Sequence, residues 1–280
     1  MVFVATTCVV IGDTAGKLLT QQGVAPVFIA WTRFALAAAL LLPFSGLSLK
    51  ELPGLADWRV LLRAAFIASG IFLILTALKT EPIANVFGAF FVGPIVSYVL
   101  AVIFLGETPS RSRGLLLIVG FAGVLLVVKP GFGATLGMGF AVAAGMCYGA
   151  YLAMTRTVAG DYRPRFLLMS QLLVGAVLLA PFGVSAGIPR LDGYLWALIL
   201  ISALGSALGN YLLVSANKIA EASLIAPLVY SQLISATVLG VIVFGDWPDA
   251  VALIGLLLVL LSGFGSLVAH RRGNRVKAGR

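Results

Sequence analysis

Long apolar segments alternate with short polar ones along the whole chain. A helix rises 1.5 Å per residue, so roughly 20 apolar residues are needed to cross a hydrocarbon layer about 30 Å thick. Ten segments come close to that length: about 2–20, 27–46, 62–80, 83–105, 114–130, 136–155, 166–186, 194–216, 222–244 and 250–269. The pattern predicts an all-α membrane protein with ten transmembrane helices.

The second half of the chain repeats the first at an almost constant spacing. The residue pairs 138 or 139 positions apart include Trp58 and Trp196, Ala77 and Ala216, Lys79 and Lys218, Gly106 and Gly245, and Pro109 and Pro248. Five helices per copy is an odd number, so the second copy enters the membrane in the opposite direction, as in secondary transporters with inverted repeats. We therefore predict two inverted five-helix repeats, at 1–132 and 133–270, followed by a basic cytoplasmic tail at 271–280.

Composition supports a lipid environment and argues against a nucleic-acid partner. Hydrophobic residues make up 61% of the chain and charged residues 10%, against about 45–50% and about 25% in soluble domains. Mean hydropathy is +1.10. The net charge of +9 arises mainly from loops on one predicted face and from the tail, which is the positive-inside bias. It predicts a multi-pass protein of the inner (plasma) membrane with both termini in the cytoplasm.

Asp13 is the single acidic residue deep inside a predicted span. An ionisable group at that depth is costly and is a functional hypothesis by default. The alternative is an intrahelical ion pair with Lys17 at i+4. The stretch from Gly12 to Lys17 is one residue short of a phosphate-binding loop and lies in a predicted helix, so we predict no nucleotide cofactor. With His270 as the single histidine, we also predict no metal site.

Polar side chains on three later helices reach comparable depth and are candidates for the lining of a substrate cavity. They are Tyr148, Tyr151, Asn210, Tyr230 and Gln232. The alternative is ordinary hydrogen bonding between helices, at about 0.6 kcal/mol each.

Other polar and small residues are predicted to lie at helix ends, at the membrane interface or in contacts between helices. Lys79 and Lys218 end equivalent helices at opposite faces, as gate residues or as simple anchors. Arg33 lies near the outer interface, where its side chain can snorkel to water. Glycine pairs four residues apart predict close helix contacts; they are Gly12 and Gly16, Gly145 and Gly149, and Gly205 and Gly209.

Two stretches resemble a known family. The run Trp31-Thr32-Arg33-Phe34 after Pro26, and the pattern from Ala84 through Pro94 to Phe104-Leu105-Gly106-Glu107, are similar to the EamA-type repeats of the drug/metabolite transporter superfamily. The resemblance implies ten helices, both termini inside, a central cavity and export by alternating access. Within the superfamily the chain resembles the aromatic amino-acid exporter group. The second half departs from the pattern, because Asp246 replaces the glutamate and Leu233 stands where Pro94 would map.

The sequence thus predicts a secondary transporter that exports small metabolites, with neutral or aromatic amino acids as the first choice. Efflux of drugs or other cationic compounds is the alternative, because aromatic rings and Asp13 would suit a cation equally well. An intramembrane enzyme would need a second deep acid, a nucleophile pair or metal ligands beside Asp13. We therefore predict a non-enzyme that binds small molecules and lies in a lipid bilayer.

Overall fold

A computed structural model describes residues 1–104, 106, 111–128, 135–187, 189, 192–219 and 229–278, and these residues form helices joined by short turns. The α-helices are α1 Val2–Gln21, α2 Pro26–Leu41, α3 Trp58–Leu78, α4 Ile83–Phe90, α5 Val92–Phe104, α6 Arg111–Val128, α7 Leu136–Val158, α8 Pro164–Ser185, α9 Gly193–Ile219, α10 Gln232–Leu239 and α11 Ala250–Ala278. Single 3₁₀ segments follow α2 at Leu42–Phe44 and precede α3 at Leu49–Ala56, and a π-helical turn, Gly240–Phe244, follows α10.

Seven apolar helical segments in the described chain are long enough to cross a membrane. They are Val2–Gln21, Pro26–Phe44, Trp58–Leu78, Ile83–Phe104, Leu136–Val158, Pro164–Ser185 and Gly193–Leu213, with shorter apolar helices at Gly114–Val128, Gln232–Phe244 and Ala250–Gly265. The prediction of an all-helical membrane protein is confirmed. The predicted segment 222–244 is described from residue 229 onward only.

The helix spanning residues 83–104 is broken in the middle of the predicted span. α4 ends at Phe90 and α5 begins at Val92. Pro94 has no N–H to donate to the carbonyl of Phe90, four residues earlier, and its ring crowds that position. The freed carbonyl faces α7 instead, where a Cβ on Gly145 would lie 2.4 Å from the Phe90 oxygen.

Two glycines end helices in the same backbone conformation at equivalent positions of the two halves. Gly106 follows α5 with φ of +66°, and Gly245 follows the π-helical turn with φ of +68°. Left-handed φ values are accessible to glycine at little cost. The Leu-Gly-Glu motif and its second copy therefore mark helix ends.

Helices pack in pairs along lines of small residues. α1 lies along α9, α3 along α7, α2 along α8 and α6 along α11. A Cβ on Gly12 would lie 2.9 Å from the carbonyl oxygen of Ser202, and one on Gly205 would lie 2.8 Å from that of Cys8. The predicted close contacts at the glycine pairs are confirmed. Large apolar side chains such as Ile118, Val177 and Ile242 point outward, as a lipid-facing surface requires.

Candidate functional site

A small central cavity lies where α2, α3, α8 and α9 face one another. Its volume is about 20 Å³, and its walls include Arg33, Ile67, Gln171, Ser206 and Asn210. A cavity of this size holds about one water molecule. Arg33 and Gln171 of the cavity wall belong to two buried arginine networks.

The first network is built on Arg33 of α2. Its side chain is 4% exposed and forms an ion pair with Asp13 of α1. It also donates from Nη2 to the carbonyl oxygen of Gly12 at 2.7 Å and from Nε to Ser202 Oγ on α9 at 2.7 Å. The charge of Arg33 is therefore neutralised by a carboxylate, which is the condition under which a buried charge is tolerated.

The second network is built on Arg63 of α3, which is 3% exposed. Nε donates to Thr155 Oγ1 at 2.8 Å, and Nη1 donates to the carbonyl oxygen of Leu167 at 2.8 Å. Nη2 donates to Tyr151 Oη and to Gln171 Oε1, both at 2.9 Å. The guanidinium also lies 4.6 Å from the centre of the Tyr151 ring. All these partners are neutral.

The two networks occupy equivalent positions of the repeated sequence. Gln171 stands 138 positions after Arg33, and Ser202 stands 139 positions after Arg63. The contact between Arg33 and Ser202 thus recurs as the contact between Gln171 and Arg63. In the second contact the arginine stands at the position equivalent to Ser202, and glutamine stands at the position equivalent to Arg33.

Five aromatic rings form a continuous line that ends at Arg63. Tyr230 stacks on Phe91 with ring centres 4.7 Å apart, and Phe91 contacts Phe90 at 6.4 Å. Phe90 contacts Tyr148 at 4.9 Å, and Tyr148 stacks on Tyr151 at 5.9 Å. A sixth ring, Phe87, meets Phe90 at 6.3 Å. Two of these rings, Phe90 and Phe91, lie at the break between α4 and α5.

A third charged group joins the two halves at the C-terminal end of α1. Lys17 Nζ forms an ion pair with Asp246 at 2.7 Å and donates to the carbonyl oxygen of Glu81 at 3.0 Å. The same ammonium lies 4.4 Å from the centre of the Phe244 ring. One lysine therefore links α1, the start of α4 and the turn after α10.

Polar groups at the opposite end of the bundle join the segment before α3 to the turn before α8. Asp57 caps α3 by accepting from the backbone N–H of Arg59 at 2.8 Å and also accepts from Tyr162 Oη at 2.9 Å. The hydrogen bonds from Arg59 lower the pKa of Asp57 to about 2. Arg163 binds Glu51 with two hydrogen bonds of 2.6 Å, and they lower the pKa of that carboxyl.

The predicted site residues fall into three groups. Asp13 is bound to Arg33, so the alternative pair with Lys17 is not formed, because Lys17 reaches Asp246 instead. Asn210 lines the cavity and donates to the carbonyl oxygen of Ser206 at 2.8 Å.

The three predicted tyrosines, Gln232 and Lys79 are not among the residues that line the cavity. Tyr148, Tyr151 and Tyr230 belong to the aromatic line, and Gln232 is buried at the start of α10. Lys79 is exposed at the C-terminal end of α3. The side chain of Lys218, on α9, lies outside the described residues.

Three functional candidates escaped the sequence prediction. The expectation that Arg33 snorkels to the interface is wrong, because α1 and α9 enclose its guanidinium. Arg63 is the second residue of the predicted segment 62–80, and a charge at the edge of an apolar segment is ordinarily interpreted as its boundary. Gln171 carried a usable signal, because it occupies the position in the second repeat that Arg33 occupies in the first.

Apolar helices around a small internal cavity with a few polar side chains, in a chain with two similar halves, are typical of membrane transporters for small solutes. The chain belongs to the EamA-like transporter family, which matches residues 1–129 and again residues 135–268. Two copies of the family's repeat therefore account for almost the whole chain.

Relatives with a known name are transporters of different solutes. A riboflavin transporter from Brucella anthropi is 26% identical over 260 residues, covering 86% of this chain and 90% of that protein. An S-adenosylmethionine uptake transporter from Rickettsia bellii is 26% identical over 239 residues, covering 83% and 80%. A solved crystal structure that is 18% identical superposes with a TM-score of 0.66 over 96% of each chain, which establishes a common fold.

Proposed function

We propose that this protein is a secondary transporter that moves a small metabolite by alternating access. Residues 1–132 and 133–270 form two inverted five-helix halves, giving ten transmembrane helices in all. The solute binds at the central cavity between α2, α3, α8 and α9. Exchange of the two halves' conformations opens that cavity first to one side of the membrane and then to the other.

The observation that carries this proposal is the exchange of contacts between the halves. Arg33 on α2 contacts Ser202 on α9, and Gln171 on α8 contacts Arg63 on α3. Each residue of one contact has its repeat-equivalent in the other. A pseudo-twofold axis through the cavity relates two contacts in this way.

A ring stack supports the same axis. Phe91 and Tyr230 are 139 positions apart in the sequence and stack on each other, with ring centres 4.7 Å apart. Two equivalent residues in mutual contact must lie beside a twofold axis. Both stand at interruptions next to helices α5 and α10, and interrupted helices near the midplane are typical of transporter binding sites.

The conformation described here is constricted at its centre. A metabolite site needs roughly 300–1,000 Å³, whereas the central cavity measures about 20 Å³. A larger cavity of about 220 Å³ lies beside Leu41, Phe44, Met169 and Tyr211, at the end of the bundle opposite Lys17. With both termini in the cytoplasm, as the charge distribution predicts, the larger cavity faces inward and the Lys17–Asp246 pair closes the outer side.

The orientation has its own test. Reporter proteins fused after Arg111 and at the C-terminus should both report the cytoplasm of the inner membrane. An external signal from either fusion would contradict the ten-helix topology.

The solute we propose carries a planar aromatic group. Asn210 lines the cavity and offers an amide for polar groups. The line of rings that includes Tyr148, Tyr151 and Tyr230 meets the cavity wall where Tyr151 contacts Gln171, and it offers stacking faces once the cavity opens. Gln232, at the start of α10, offers a second amide. Aromatic amino acids meet this description, as does the flat ring of riboflavin, the solute named for a relative. Efflux of cationic compounds is less favoured, because Asp13, the carboxylate that would attract a cation, is already bound to Arg33.

Transport by purified protein in proteoliposomes tests the proposal. The assay compares phenylalanine, alanine, riboflavin, S-adenosylmethionine and tetraphenylphosphonium, with and without a pH gradient, against empty liposomes. Tyr148→Ala should lower phenylalanine transport more than alanine transport. Tyr194→Ala, which removes an exposed ring at the start of α9, is the matched control. Transport of tetraphenylphosphonium alone would instead support cation efflux.

A further inference from the structure

We propose that Arg63 binds an anionic oxygen group, a carboxylate or a phosphate, of the transported solute. This inference rests on the proposed transport function and specifies the solute class of the same central site. The two arginine networks differ in charge balance, and this difference points to the anion.

The repeat shows what the second network lacks. In the first network the guanidinium of Arg33 is neutralised by Asp13. The position equivalent to Asp13, 139 residues later, is Leu152. The second network therefore holds a permanent cation, because arginine stays protonated in proteins, but the carboxylate of the first network has been replaced by an apolar side chain.

Hydrogen bonds from Arg63 to neutral oxygens satisfy its donors without cancelling its charge. Among the described residues, its partners are a hydroxyl each from Thr155 and Tyr151, the Leu167 carbonyl and the Gln171 amide. An uncompensated charge inside a membrane protein is costly and marks a solute or ion pathway by default. A bound anion removes that cost, and guanidinium is the side chain best matched to carboxylate and phosphate.

Gln171 occupies the place where such an anion would bind. Its Oε1 accepts from Arg63 Nη2 and from Tyr151 Oη, both at 2.9 Å. One oxygen bridging two donors is the arrangement that a carboxylate or phosphate oxygen would adopt. Gln171 also lines the central cavity, so rotation of its side chain would open both donors to a solute there.

The neighbouring rings determine where the rest of the solute would lie. Tyr151 stacks on Tyr148, and the aromatic line continues from Tyr148 to Phe90 and Phe91. A flat ring attached to the anionic group would stack beside Tyr148. The arrangement therefore favours a planar aromatic acid over an aliphatic one.

Benzoate and benzamide test the charge requirement, because they share a flat ring and differ in the anionic oxygen. Binding to purified full-length protein is measured by ligand-induced thermal stabilisation and by inhibition of solute uptake. We expect benzoate to bind at least about tenfold more tightly than benzamide, because only the benzoate carboxylate carries a charge opposite to that of Arg63 and two oxygens that can accept from it together. Phenyl phosphate, used in the same assay, distinguishes a phosphate preference from a carboxylate preference.

Variants assign the preference to Arg63. Arg63→Gln should abolish the discrimination between benzoate and benzamide, and Arg63→Lys should retain part of it. Arg59→Gln removes a charge from the same helix, where Arg59 pairs with Asp57 and Asp161 outside the cavity, and should leave discrimination unchanged. If Arg63→Gln does not fold, Gln171→Leu decides, because removal of the competing amide oxygen should tighten benzoate binding.

The outcomes separate this inference from the proposed function. Equal binding of benzoate and benzamide by the wild-type protein, or discrimination that survives in Arg63→Gln, overturns the role of Arg63. Weaker benzoate binding in Gln171→Leu overturns it as well. Transport of neutral solutes together with any of these results leaves the transporter proposal standing. Absence of transport for every solute tested contradicts the proposed function itself.

Discussion

The Arg33 and Arg63 networks are related by the sequence repeat and each joins residues of both halves, yet they solve the problem of a buried cation differently. Arg33 is neutralised within the protein by Asp13, whereas Arg63 is surrounded by neutral oxygens. Helix packing differs in parallel. A Cβ on Gly209, in the α1–α9 contact, would lie 2.6 Å from the Ala5 carbonyl, but one on the equivalent Gly70 would lie 3.5 Å from that of Ala144.

The difference indicates a division of labour between two copies of one unit. The first network and the contact beside it are tightly packed and electrically balanced, which suits a structural joint. The second is looser and retains an excess charge beside the cavity, which suits a site that exchanges partners. Gene duplication supplies two equal positions, and a few substitutions suffice to separate these roles.

The largest expected effect comes from removing the carboxylate of the balanced network. Asp13→Asn leaves Arg33 buried without an anion, and loss of one partner of a buried ion pair costs about 3–5 kcal/mol. We expect a clear drop in thermal stability and in transport. Thermal stability is measured as the fraction of protein that still elutes as a single species from a size-exclusion column after heating.

A double variant checks the cause. Asp13→Leu combined with Arg33→Gln installs the residues that the second half has at equivalent positions, Leu152 and Gln171. It should recover much of the stability that Asp13→Asn loses, because no charge is left unpaired. Unchanged stability of Asp13→Asn would mean that Arg33 finds other compensation, and the contrast between the networks would fail.

The packing contrast predicts a smaller effect at two equivalent glycines. Gly209→Ala brings a methyl group against the Ala5 backbone, and overpacking costs about 1–3 kcal/mol. Gly70→Ala, 139 positions earlier, meets its neighbours at ordinary contact distance and should change stability little. Thermal unfolding of the two single variants measures the difference. Equal losses at both positions would show that the two helix contacts are equally tight.

Much of the fold could be predicted from the sequence, because hydropathy and glycine spacing are local signals. The apolar segments and the close glycine contacts emerged from those signals alone. The partners of charged groups did not, since they depend on the depth at which separate helices align. Lys17 has Asp13 four residues away on its own helix but binds Asp246, because α1 ends beside the turn after α10.

The candidate site was predicted only in part, because the direction of a long charged side chain also depends on neighbouring helices. The tyrosines and Asn210 stand out as polar groups in apolar segments. Arg63 did not, because a long side chain near a helix end can fold inward or reach water, and hydropathy assigns it to water. The contact with Gln171 shows that the side chain of Arg63 points into the bundle.

The ion pair between Lys17 and Asp246 offers a third case, between the buried networks and the surface. The lysine side chain is 7% exposed and the aspartate 28%. We expect a coupling of about 1 kcal/mol, lowered by salt, as for partly exposed pairs. A double-mutant cycle of Lys17→Met and Asp246→Asn measures it. If no coupling is found at low salt, the Lys17–Asp246 pair does not hold the outer side closed.

The smallest effect is expected at Asp57, where a charge pair lies at the end of the bundle rather than inside it. The Arg59 hydrogen bonds lower the pKa of Asp57 to about 2, from an ordinary value of about 3.9. A lowered pKa means that the ionised carboxylate stabilises the folded state above pH 4, and that this contribution disappears as pH falls towards 2. Asp57→Asn should therefore cost less than about 1 kcal/mol at pH 7.

The difference between wild type and Asp57→Asn should remain constant from pH 7 to about 5 and vanish between about 4 and 2. Thermal unfolding across that range measures it. Asp192→Asn is the control for the helix cap alone. Asp192 accepts from the Leu195 N–H at the start of α9, asparagine retains a side-chain acceptor there, and the described residues include no arginine partner for Asp192. A cost at Asp57 as large as that of Asp13→Asn would mean that surface charge, not burial, governs both sites.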